Sequence, residues 1–388
     1  MPLLNHTPYP ALAFQGVDPL GQEFHVLAVR QTLTWQDDGL LVPAETQLPL
    51  CEEDQRLEVA GGRRVTMQES DLCQFKPCAD VLVNATAHAP RGWPASRFDV
   101  RLALRRPGAD ALLLDKRLAV CGPRQMGRRT ALSGLSGPRW SLSEPQPFLR
   151  LPLTLAQSWG GQLVDREGCE HAFAANPAGV GWWNRRLAGR VCDVEQPAPR
   201  IEDPGQPLTP GLVEQAEQGD MQITAVGLGV RPKSHPARVA LAGRVDEVFA
   251  GSDAPLPQGF DFAVWNCAWP DQQLAELVGD EWIGLINLCA PDTPAARMAA
   301  TGDTLLGLSL PGTLPFVLVR WQDGRLGELA MRLDTLIVEP EEHRVSCVWR
   351  AVMPLYPAVR VLELRELGAG GHPGDSATTE SANEAEVG

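Results

Sequence analysis

The sequence predicts a mainly β protein: two β-sandwich-like halves with long Gly/Pro-rich loops and few short helices. Apolar, β-branched and aromatic runs recur at intervals of about ten residues, the spacing of sandwich strands. Between them, 37 glycines and 34 prolines set turns and end strands. Helix-compatible patches are confined to two segments of about two turns each, marginal without tertiary support.

Taken in order, residues 24–35 (FHVLAVRQTLTW) are the first clear strand. The Asp37-Asp38-Gly39 turn then lets residues 40–42 pair back as a hairpin. Further strands are expected at 81–87, 98–104, 112–120 and 147–155. Residues 156–186 break the rhythm with Trp159-Gly160-Gly161 and NPAGVGWW at 176–183, an ordered loop pinned by tryptophans. Five prolines within 196–210 mark a linker or extended crossing segment. Strands resume at 221–230, 260–265, 281–288, 304–310, 316–321, 328–338 and 344–351, with helices at 212–218 and 272–278. The expected organisation is an N-terminal half (1–195), a crossing segment (196–220), a C-terminal half (221–366) and a disordered, low-complexity acidic tail (367–388).

Composition narrows the function. The net charge is −14 and only Lys76, Lys116 and Lys233 are lysines. No basic stripe is present, which argues against nucleic acid. The N-terminus lacks a signal-peptide pattern, and the longest apolar run, 305–319, is interrupted by Pro311, Gly312 and Pro315, short of a membrane span. A soluble, cytoplasmic protein is expected. Nine scattered cysteines read as reduced, mostly buried thiols; Cys73 and Cys78 have no second pair at zinc-site spacing. Gly227-Leu228-Gly229 lacks the third glycine and the helix of a dinucleotide site. The seven histidines are dispersed, and no serine completes a nucleophile elbow. No metal, cofactor or catalytic residue is expected.

The most specific string lies in 260–291, FDFAVWNCAWPDQQLAELVGDEWIGLINLCAP. Its tryptophans are large core residues or, alternatively, interface anchors. Asp271, Gln272 and Gln273 after Trp269-Pro270 suit a capping and turn cluster, or contact with a ligand. Asp80, Asp280 and Asp334 each precede strand-like segments, where turn-forming hydrogen bonds are the default.

Four strings resemble a bacterial family known as domain-of-unknown-function family 2169. They are SDLCQFKPCADVLVNATAHAP (70–90), SWGG with NPAGVG (158–161 and 176–181), WNCAWPDQQ within 260–291, and MRLDTLIVEP with VSCVWR (331–350). They occur in the family's order. The sequence departs from the family at 226–238, which has no tryptophan, and at Trp182-Trp183, where a Phe-Tyr type pair is more usual. The resemblance implies a non-enzymatic adaptor-chaperone of type VI secretion, binding a secreted effector and a spike or PAAR-type protein to load it on the secretion spike. The candidate partner contacts are Lys76, Trp269, Asp271, Gln272, Gln273 and Asp280. The alternatives are a hydrolase or carbohydrate-active enzyme with a tryptophan-lined site, and a structural component of the secretion apparatus.

Overall fold

The computed structural model describes residues 2–129, 139–165, 167–184, 186, 194–245 and 255–367. The strand Glu23–Trp35 is buried along nearly its whole length. It therefore sits inside a sheet and holds its register with neighbours on both sides. The sheet has seven strands, ordered Ala11–Val17, Glu23–Trp35, Arg344–Pro354, Arg332–Glu339, Ala79–Val83 and Gln273–Leu274, with Leu41–Pro43 paired off the path to Glu23–Trp35. The last pairing is the expected hairpin. One contact in this sheet is parallel, between 332–339 and 79–83.

A six-stranded sheet runs Ile201–Glu202, Leu112–Cys121, Arg97–Arg105, Trp282–Ile286, Thr304–Ser309 and Arg297–Met298. A four-stranded sheet runs Leu3–Asn5, Val359–Leu367, Leu314–Trp321 and Leu326–Ala330. One face of each sheet meets in a single core, where Leu27, Val29, Leu102, Leu285, Leu336 and Leu364 pack together. The fold is mainly β with few short helices, as the sequence predicts. Each of the two larger sheets takes strands from both sides of 196–220, so the crossing segment does not separate two independently packed layers. Of its prolines, Pro197 ends the edge strand Val194–Pro197, paired with Gln125–Arg129, where no ladder donor is required, and the short strand Ile201–Glu202 pairs with Leu112–Cys121.

The helix expected at 212–218 is Pro210–Gln218. Thr209 caps it by accepting from the Leu212 amide, Pro210 opens it, and Gly219 closes it with φ of 88°. Three expected elements differ. The 221–230 run is not a strand, because no neighbouring strand is available to it. It makes isolated bonds instead, such as Val83 N–H to the Leu228 carbonyl and Val226 N–H to Ser158 Oγ. The 260–265 run is a 3-10 turn, Phe262–Trp265, because Asp261 caps the Ala263 amide and turns the chain. Residues 272–278 form no helix; Pro270–Gln272 is a 3-10 turn leading into the edge strand Gln273–Leu274. The expected tail lies outside the described residues from 368 onward. Two N-terminal strands and Val359–Leu367 were not expected.

The second face of the seven-stranded sheet is covered by irregular chain. Leu82 and Ile337 pack there against Val230, Cys267 and Ala268. Several cysteines belong to these interiors. Burial raises the thiol pKa of Cys73, Cys267 and Cys347, and pushes Cys51 and Cys289 up to about 11. In the unfolded chain the thiols ionise near their ordinary value of 9.0. Stability from these buried neutral thiols is therefore fully present below pH 9 and is lost as pH rises toward about 11. Cys51 and Cys289 each contribute about 2–3 kcal/mol across that window. Melting under reducing conditions should show a midpoint that drops across this range, and more shallowly in Cys51→Ala with Cys289→Ala; a flat profile would contradict the burial.

Candidate functional site

Asp80 lies in the buried strand Ala79–Val83 and is fully inaccessible. Its Oδ2 accepts from Lys76 Nζ at 2.8 Å and from Cys267 N–H at 3.0 Å. Its Oδ1 accepts from Asn266 Nδ2 at 3.1 Å and Ala268 N–H at 3.2 Å. Lys76 also donates to Thr335 Oγ1 at 2.8 Å, tying the cluster to the Arg332–Glu339 strand. Burial is the largest single influence and disfavours the Lys76 ammonium, but Asp80, Asp334 and the neighbouring thiols together outweigh it and hold the pKa well above the usual lysine value. Asn266 closes the loop by donating to the Cys78 carbonyl at 2.8 Å. In the WNC part of the long motif, backbone and side chain thus both bind one carboxylate of the Ser70–Pro90 string.

The PDQQ part completes the attachment. Gln272 is fully buried, and its Nε2 donates to the carbonyls of Val81 and Leu228, at 2.7 and 2.8 Å. Gln273 donates to the Ala268 carbonyl at 2.9 Å, and its backbone pairs opposite Asp80. Trp269 is buried among Val65, Leu155, Ala156, Ala178 and Ala225, with the Lys116 ammonium 5.5 Å above its ring. Asp271 does not cap the turn. It reaches Lys116 Nζ at 2.7 Å with its side chain largely in solvent. Burial pulls the Lys116 pKa below the usual lysine value against the opposing pull of Asp271.

Lys76, Trp269 and Gln272 are therefore turned inward, with little or no side chain at the surface. Asp271 is exposed, and Gln273 and Asp280 are half-buried. These three are the expected contacts that remain at the surface. The acid that organises the GDE turn is Glu281, which accepts from the amides of Val278 and Gly279 at 2.7 and 2.9 Å.

Other buried ion pairs extend the cluster into a layer. Arg350 donates to Asp334 at 2.5 Å and to the carbonyls of Cys73 and Asp71. Arg30 pairs with Asp71 at 3.3 Å, and Arg238 grips both oxygens of Glu69 at 2.6 and 2.9 Å. Sequence reasoning missed the Arg30–Asp71 and Arg238–Glu69 pairs because their partners are far apart along the chain, and the Arg350 site because the Cys73 and Asp71 carbonyls that complete it are equally distant. A cavity of about 240 Å³ borders the layer, lined in part by Phe75, Lys76, Asp334 and Arg350. Asp71, Asp80 and Asp334 each hold a cation, as does Glu69, so none of these four buried carboxylates is left without a counter-charge. Among the described residues, no group of His, Cys, Asp and Glu is arranged to hold a metal ion. None of the described helices is long and apolar enough to cross a membrane.

From Arg30 to Arg350, the layer spans the region in which a family model matches the chain, residues 20–350. That family is described as "Uncharacterized protein conserved in bacteria (DUF2169)". The chain belongs to it. No curated protein and no solved structure matches the chain.

Two of the strings noted in the sequence, SWGG and NPAGVG, interlock within the matched region. Trp159–Gly160 runs parallel to Val180–Gly181. The Asn176 side chain donates to the carbonyls of Leu155 and Trp159 at 2.8 and 3.0 Å, and the Gly161 amide donates back to the Asn176 carbonyl at 2.9 Å. The crossing has no room for side chains. A Cβ on Gly160 would sit 2.2 Å from the Asn176 carbonyl oxygen, and one on Gly179 would sit 2.7 Å from that of Ser158. In this member of DUF2169, the SWGG and NPAGVG strings are two halves of one backbone crossing.

Proposed function

We propose that this chain is a non-enzymatic, cytoplasmic adaptor-chaperone of type VI secretion. It binds a secreted effector together with a spike or PAAR-type protein and promotes loading on the spike. The observation that carries this reading is the inward closure of the motif chemistry. Lys76, Asp80, Asn266 and Gln272 hold the 259–281 segment on the sheet, so that the segment presents Asp271, Gln273 and Asp280 outward on a rigid base. Contacts on loops fixed by a rigid scaffold suit recognition of a macromolecule. The resemblance of the four strings to an adaptor family supplies the class of partner.

Co-purification tests it. Tagged chain is co-expressed with the products of the neighbouring genes, as wild type and as Asp271→Asn with Asp280→Ala. The asparagine retains a hydrogen-bond acceptor for Lys116, so the fold should survive. The reading predicts that wild type retains a spike or effector protein and that the variant, with an unchanged melting temperature, loses it. Recovery of neither protein, with both expressed and soluble, would remove the adaptor function.

A further inference from the structure

The six-stranded sheet uses one face for the core and leaves the other facing outward. Cross-strand register sets what that outward face carries. Arg117, Arg101, Ile286, Leu305 and Arg297 stand opposite one another in successive strands and form one row. The neighbouring row is Asp115 followed by the small residues Ala103, Gly284 and Gly307. The Trp282 ring lies over those two glycines, since a Cβ on Gly284 would sit 2.3 Å from the ring and one on Gly307 3.1 Å from its Nε1. The Arg105 guanidinium stacks on the same ring at 4.6 Å from its centroid.

Charge on this face opposes that of the whole chain. Asp115 is shared by Arg101, which it binds through both oxygens, and by Arg117 at 3.8 Å. None of the described carboxylates lies within ion-pair distance of Arg105 or Arg297. Asp99 is the other acid exposed among these strands; Glu202 at the sheet edge is buried against Arg124 and Arg97. A net positive face with half-exposed Ile286 and exposed Leu305 thus sits on a chain of net charge −14. Arginine, tryptophan and an aliphatic row on one sheet face form the composition of an interface centre.

We propose that this outward face docks a carboxylate-rich segment of a protein partner, with apolar residues interspersed. The proposal rests on the reading that the chain binds a protein, and names the chemistry of the segment recognised. The partner's carboxylates take Arg105, Arg117 and Arg297, and its apolar side chains lie on Ile286, Leu305 and the edge of Trp282. A nucleic acid would find the same guanidiniums, but the chain's overall negative charge repels a long polyanion.

The test is fluorescence anisotropy with full-length chain and a labelled peptide alternating Glu and Leu, against a Lys/Leu peptide and a single-stranded oligonucleotide. The Glu/Leu peptide should bind, weaken with salt, and bind about ten-fold or more weakly to Arg105→Glu with Arg117→Glu. Thermal melting of that variant should match wild type, since neither side chain supports the core; Arg105→Gln with Arg117→Gln provides a milder check. Equal binding by wild type and variant, or no binding to wild type, overturns the proposal. Tighter, arginine-dependent binding of the oligonucleotide assigns the face to nucleic acid. Tighter peptide binding after neutralising Asp375, Glu380, Glu384 and Glu386 assigns it to the chain's own acidic end, and a concentration-dependent dimer lost on charge reversal assigns it to a second copy. In the co-purification, a partner retained by the charge-reversed chain would sink this inference while leaving the adaptor reading in place.

Discussion

Asp80→Ala should destabilise the protein by about 3–5 kcal/mol, enough to leave much of it unfolded or insoluble at growth temperature. Removing the carboxylate leaves the buried Lys76 ammonium with Thr335 Oγ1 as its remaining close hydrogen-bond acceptor. It also strips acceptors from the Cys267 and Ala268 amides, which lie in a region closed to water. An uncompensated buried charge and orphaned donors each cost more than a typical hydrogen bond contributes. Lys76→Met should cost less, because Asp80 still accepts from Asn266 and two amides. Urea unfolding of the soluble fractions measures both.

Gly160→Ala is expected to cost about 3–4 kcal/mol by a different route. Gly160 has φ of 148°, a conformation that side chains rarely adopt, and its added Cβ would overlap the Asn176 carbonyl oxygen. The obstacle is backbone held by the crossing itself, so it cannot move aside as a flexible side chain would. Gly62→Ala is the control. That position also has positive φ, 69°, but a Cβ there meets nothing within 4 Å. Its loss should be confined to backbone strain, about 1 kcal/mol. Equal melting temperatures for the two variants would contradict the tight crossing.

The sequence revealed those parts of the fold whose signals are local. The 24–35 run, the turn at Asp37-Asp38-Gly39 and the Thr209–Gly219 caps lie within a few residues of what they shape. The 221–230 and 260–265 runs carried the same apolar, β-branched character but had no strand to pair with. They cover the outer side of a sheet instead, and that depends on the whole topology. The site divides in the same way. Lys76 and Gln272 stood out in the sequence, but as outward contacts, because lysine and glutamine are rarely buried unless paired. Their partners are distant in sequence: Thr335 and Asn266 join Lys76 and Asp80 only once the 332–339 strand and the long motif meet 79–83. Arg350 and Asp334 sit close in sequence on adjacent strands, but the carbonyls of Asp71 and Cys73 that complete the Arg350 site could not be read from that spacing.

The most direct test of the central claim, that the motif residues hold the fold from within, is a double-mutant cycle in urea on wild type, Asp80→Ala, Lys76→Met and the pair. If Lys76 and Asp80 are one buried unit, the double variant should be more stable than Asp80→Ala alone, because no ammonium is then left without its counter-charge. Full wild-type stability in both single variants, with loss confined to partner capture, would show that these residues face a partner and would overturn the account.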